Sequence, residues 1–221
     1  MKRLSFLFVS FIMTICLVFS TVSCAQETRQ IKLPSPQTNG GMPLLQALKE
    51  RKSLREFSPK ELSAQVLSNM LWAAFGINRP ESGKRTAPSS TNKQDIDIYV
   101  TASDGLYLYD AKANILKLVV SDDIRSLTGT QDFFKEAPVN LVYVSDFSRL
   151  GDRPDEWKYR TARYDTGFIS QNVYLFCASE GLATVVRGSI DKQALSKAMK
   201  LRPDQKITLA QSVGYPGQEK E

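Results

Sequence analysis

GKRTAPSSTNKQDIDIYVT, residues 83–101, changes character halfway along, and the surrounding chain is read outward from that change. Its first part holds Lys84, Arg85, Pro88, Ser89, Ser90, Thr91 and Asn92, a basic, hydroxyl-rich loop that is not helix or strand throughout. Its second part alternates. Ile96, Ile98 and Val100 fall on one side of a period of two and Asp97, Tyr99 and Thr101 on the other, the pattern of a half-buried strand. A loop dense in donors is therefore expected to be pinned against a sheet, where hydroxyls, an amide and backbone N–H groups meet a ligand without rearranging. A turn or helix-capping cluster is the other reading of the same residues, and the commoner use of them.

Toward the N-terminus, Lys2 and Arg3 precede an apolar run from Leu4 to Val22 and then Ser23-Cys24-Ala25, the layout of a secretory leader over residues 1–23. Cys24 stands where an acylated lipoprotein cysteine would stand, so export with a lipid anchor at Cys24 is expected; cleavage after Ala25 is the alternative. No later stretch is long and apolar enough to cross a bilayer. Residues 24–41, with Pro34, Pro36, Gly40 and Gly41, read as a flexible tether, residues 42–217 as one domain, and 218–221 as a short tail.

Of the 29 Lys and Arg, Lys2 and Arg3 fall in the leader, leaving 27 basic against 23 acidic residues. That mild excess, without a dense Lys/Arg stripe, gives no footprint for nucleic acid. Cys177 is the sole cysteine beyond residue 24 and there is no histidine, which excludes a disulfide framework, His-based triads and the usual zinc sites. Chemistry on this chain is expected to be carried by a cofactor.

Apolar spacing predicts a helix over Pro43–Lys52 with Leu44, Leu45 and Leu48 on one face, and a second, capped by Ser63 and closed by Gly76, with Val66, Leu67, Met70, Leu71 and Ala74 inward. Turns at Asp104-Gly105 and at 111–114 divide the strand-like segments after residue 96 into a three-stranded meander, in which Tyr107 and Tyr109 are packing residues. Val139–Val144 reads as a central strand covered on both faces. Phe168–Leu182 is apolar most of the way round a helix, so it is expected at the core or a subunit interface, with Cys177 a buried small hydrophobe. A strand over Ala183–Val186, a Ser189-capped helix over Ile190–Leu201 and a last strand over Ile207–Val213 complete the reading.

Four segments in order resemble the nitroreductase family of flavoproteins. Arg51-Lys52-Ser53-Leu54-Arg55-Glu56-Phe57 looks like its basic opening motif, and Ala87-Pro88-Ser89-Ser90-Thr91-Asn92-Lys93-Gln94 like its second flavin-contacting loop. Gln171-Asn172 through Thr184 resembles its central helix and exit, and Val213-Gly214-Tyr215-Pro216 its closing strand. The insertion Asp104–Asp110 and the segment from Tyr159 to Asn172 look most like the branch holding the SagB-type azoline dehydrogenases.

The resemblance implies an α+β fold, a mixed central sheet flanked by helices, and a homodimer formed through the long helices with FMN in two interfacial clefts. It assigns Arg51 and Ser53 to the FMN phosphate, Lys52 and Arg55 to the ribityl chain and pyrimidine edge, and Pro88, Ser89, Ser90 and Asn92 to the ring. Val186, Arg187 and Gly188 would offer backbone groups from the partner subunit. It implies a hydride passed through the flavin between a reduced donor such as NAD(P)H and a small nitroaromatic- or quinone-like acceptor, with no catalytic residue identified. The alternatives are a non-catalytic binding or scaffold protein and an azoline-type dehydrogenase. Where many members carry a basic residue after the closing strand, this chain has only Lys220; Lys84 or Arg85 would otherwise help Arg51 hold the phosphate.

Overall fold

The computed structural model describes residues 29–131 and 133–217; the leader, Cys24 and the tail with Lys220 lie outside them. Nine strands and four α-helices follow in the order β1 (Gln30–Lys32), α1 (Leu44–Glu50), α2 (Ala64–Phe75), β2 (Ile77–Arg79), β3 (Lys84–Arg85), β4 (Ile96–Ala102), β5 (Gly105–Asp110), β6 (Ile115–Val120), β7 (Val139–Asp146), α3 (Asp155–Glu180), β8 (Ala183–Arg187), α4 (Lys192–Ala198) and β9 (Gln205–Gly214). Seven strands form one sheet in the order β1-β6-β5-β4-β7-β9-β8, while β2 and β3 make a separate hairpin. The sheet expected to be mixed is antiparallel at all of these pairings. The fold is α+β, as expected.

The meander appears as β4–β6, with Tyr107 and Tyr109 buried. β7 is buried along its whole length between β4 and β9, which is why Leu141, Val142, Tyr143 and Val144 follow one another without alternation. One face of the sheet packs on α2 and α3 through Met70, Leu71, Ile98, Tyr143, Ile169 and Val173. The other is covered by α4 through Leu195 and Met199. In α2 the Ser63 hydroxyl caps the Val66 N–H at 3.2 Å, as its sequence predicts.

Three further expectations change. The segment read as a tether contributes β1, which pairs with β6 in register Ile31 to Leu116, and Leu33 is buried; alternating Ile31 and Leu33 were apolar enough to join the sheet edge. The last helix is shorter, starting after Asp191, whose carboxylate caps the Ala194 N–H at 3.0 Å; Asp191 displaces Ser189 because it lies next to the first helical turn. On α1, Leu44, Leu45 and Leu48 are 64%, 80% and 47% exposed, so the predicted apolar face is turned outward.

Candidate active site

After α1 the chain runs extended along the edge of β8, held by the Leu54 N–H donating to Thr184 O at 3.0 Å and by a bridge between Phe57 and Pro216. This lays the basic motif across the end of α3. Ser53 Oγ lies 2.9 Å from the Tyr174 hydroxyl, which also accepts from the Val186 N–H at 2.9 Å. The Arg51 guanidinium sits over the Tyr174 ring, 5.4 Å from its centroid. Beside this cluster opens a cavity of about 660 Å³ lined by Lys52, Ser53 and Arg55, with Glu50 and Glu56 as opposing charges. That volume suits a cofactor-sized ligand. Cys177 also borders it, but burial pushes its thiol well above the ordinary range, so it is the inert hydrophobe expected.

The loop of residues 88–92 occupies another part of the molecule. Ser90–Asn92 form one turn of 3₁₀ helix, with Thr91 at φ 47° and Asn92 at φ 56°. Left-handed backbone at a β-branched threonine is strained and persists only where neighbours enforce it. The enforcing contacts are the Gln94 N–H donating to Ser89 Oγ at 2.9 Å, Gln94 Nε2 donating to Asn92 Oδ1 at 3.1 Å, and the Ser90 N–H donating to both carboxylate oxygens of Asp165 at 3.2 and 3.0 Å. Much of the loop's polarity is thus spent on itself, in the manner of a turn cluster, while Pro88, Thr91 and Asn92 stay exposed.

Asp165 was not singled out by sequence. It lies on the buried stripe of α3 with Ala162, Ile169 and Val173, so an acid on an apolar helical row was the available signal. Burial, with the carboxyl of Asp95 within hydrogen-bonding reach, raises its pKa to about 7. Asp95 is fully buried, accepts from Ser145 Oγ at 2.6 Å, and its Oδ1 has no hydrogen-bond partner.

α3 separates the two clusters. Asp165 and Tyr174 are nine residues apart, roughly 13 Å along the axis and about 180° around it. Between them runs an exposed row of Arg160, Tyr164, Phe168 and Gln171, with Tyr164 61% and Phe168 49% exposed. Within one protomer the structure therefore joins Arg51, Lys52, Ser53 and Arg55 to Val186, but does not bring them to Pro88, Ser89, Ser90 and Asn92. Val186 N–H is bound to the Tyr174 hydroxyl, which also bonds Ser53, so within one protomer Val186 stands beside the basic motif. Arg187 is buried beneath the sheet against the Phe134 ring, donating to Asn140 Oδ1 at 3.0 Å, with its pKa lowered to about 10 by burial; its side chain is structural. Gly188 follows it at the exposed end of β8. Arg85 is likewise committed, to Gln94 Oε1 and Phe75 O at 2.8 Å each.

Residues 48–215 match the model of the Nitroreductase family. The chain belongs to that family. Within it, a curated protein of Methanocaldococcus jannaschii named "putative nitroreductase" is 28% identical over 186 residues, 80% of this chain and 92% of that protein. The crystal structure of another so named, from Ralstonia eutropha JMP134, is 41% identical with a TM-score of 0.83, covering 86% of this chain and 91% of the other. A chain of the Escherichia coli microcin synthetase complex shares the fold at 20% identity and a TM-score of 0.64, with 93% and 84% coverage. This nitroreductase-family chain is an oxidoreductase by family, and its basic motif and hydroxyl-rich loop are the segments its sequence marked.

Proposed function

We propose that the protein is an exported, homodimeric, FMN-dependent oxidoreductase that passes a hydride from a reduced donor such as NAD(P)H to a small nitroaromatic- or quinone-like acceptor. The observation that carries this reading is the cradle at the start of the domain. Lys52, Ser53 and Arg55 line a cofactor-sized cavity, and Ser53 is bonded to a phenol that also lines it and whose ring carries the Arg51 guanidinium. This donor set fits a phosphate monoester on a planar ligand: Arg51 and Ser53 would hold the phosphate, and Lys52 and Arg55 would flank the polar remainder, balanced by Glu50 and Glu56. Bound FMN supplies the two-electron chemistry that these side chains lack. Their own work is to bind, orient and hold positive charge near the ligand.

The homodimer is supported by the apolar surface of α1 and α3. Leu44, Leu45, Leu48, Tyr164 and Phe168 are all exposed, and the segment leading into α1 is tied to α3 by the Met42 N–H donating to Ser179 Oγ at 2.8 Å. Asp165 and Tyr174 flank the exposed row of α3 on opposite sides, so a two-fold axis across that row brings the 88–92 loop of one copy toward the cradle of the other. Export and an anchor at Cys24 rest on the leader sequence.

The test is the absorbance spectrum of the chain from residue 26, before and after incubation with excess FMN and gel filtration. Flavin retained at near one per subunit is the expected result. A folded dimer that retains none would instead be a binding module that keeps the fold without turnover.

A further inference from the structure

Tyr174 is buried, 7% exposed, on α3 at the wall of the cavity. A buried phenol must place its hydrogen on an acceptor. Its hydroxyl has two partners: the Val186 N–H, which can only donate, and Ser53 Oγ. Donation from the phenol to Ser53 is the arrangement in which every one of these groups is paired, and it sets one direction for the whole chain of bonds. Val186 N–H donates to Tyr174, Tyr174 donates to Ser53, and the hydrogen of the exposed Ser53 hydroxyl is left to point into the cavity. Without Tyr174, that hydroxyl would rotate freely and could equally present a lone pair to an incoming anion.

We propose that Tyr174 is the positioning residue of the anion cradle, setting Ser53 as an obligate donor to a phosphoryl group while its ring face seats the Arg51 guanidinium. The inference rests on the FMN reading and adds to it a residue that reaches the ligand only through two others. It implies that the cradle discriminates a phosphorylated ligand from its dephosphorylated counterpart. The ring and the hydroxyl are separable, because phenylalanine keeps a face for Arg51 and removes only the directing hydrogen.

The experiment titrates FMN and riboflavin separately into flavin-free wild type, Tyr174→Phe, Ser53→Ala and the double variant, following flavin fluorescence, with thermal melting as a control for folding. A lost hydrogen bond to a charged group corresponds to roughly tenfold or more in affinity. Ser53→Ala is expected to weaken FMN by about that factor; Tyr174→Phe leaves the serine able to donate but frees its three-position rotor, and is expected to weaken FMN about threefold, to leave riboflavin unchanged, and to add nothing in the Ser53→Ala background. Equal losses for FMN and riboflavin would make Tyr174 merely structural and overturn the proposal, as would unchanged FMN affinity in a folded variant. Wild type that binds FMN no more tightly than riboflavin would also overturn it while leaving the flavin reading standing. Uptake of neither flavin would sink both.

Discussion

Asp165 shows what one buried carboxyl does to the loop above it. Its folded pKa of about 7 lies well above the ordinary carboxylate range because of burial and of Asp95 beside it. A raised acid pKa means that the folded state holds the proton more tightly than the unfolded chain. The associated stability is present below about pH 4 and is lost as pH rises through about 7. Asp165→Asn keeps an acceptor for the Ser90 N–H and removes the charge. It should raise stability at pH 8 by on the order of 1–3 kcal/mol and flatten the decline between about pH 4 and 7, as read from denaturant midpoints at several pH values. A variant that declines as steeply as wild type would place that titration elsewhere. Residue-scale chemistry of this kind was partly legible: the basic motif and the loop could be picked out by composition, whereas Asp165 and Tyr174 acquire their roles from partners 75 and 121 residues away. No local pattern encodes those distances.

At the scale of elements, α3 carries the organisation. Its 26 residues end at Gly181, which adopts φ 66°, ψ 29°, the left-handed conformation that closes a helix while its N–H caps the Cys177 carbonyl. Gly181→Ala should cost about 1 kcal/mol through backbone strain, measured as a lower denaturation midpoint at unchanged slope. The strands and α2 were legible because period, caps and turn residues agreed. β1 was not: three residues beside prolines and glycines resemble a linker, and only pairing with Leu116 and its neighbours makes them a strand. The outward turn of Leu44, Leu45 and Leu48 was hidden for a related reason. Helical spacing reveals that a face is apolar, and is silent on whether the chain itself or a second copy covers it.

For the whole molecule, the exposed row of α3 decides between a monomer with two half-sites and a dimer with two whole ones. Phe168→Glu places a charge in the proposed contact and should shift the protein toward monomer in sedimentation equilibrium, with flavin affinity falling alongside. A variant that stays dimeric would move the interface off this row. The most direct measurement is complementation between two defective chains. One carries Arg51→Ala with Ser53→Ala, the other Asn92→Ala with Ser90→Pro; each alone is expected to retain little FMN. If the cradle of one copy works with the loop of the other, random exchange in an equal mixture rebuilds one intact site in each heterodimer, and about a quarter of all sites recover flavin by simple pairing statistics for a two-fold dimer. Mixtures that exchange subunits yet recover no flavin would show that cradle and loop serve within a single chain, contrary to the shared site proposed for this protein.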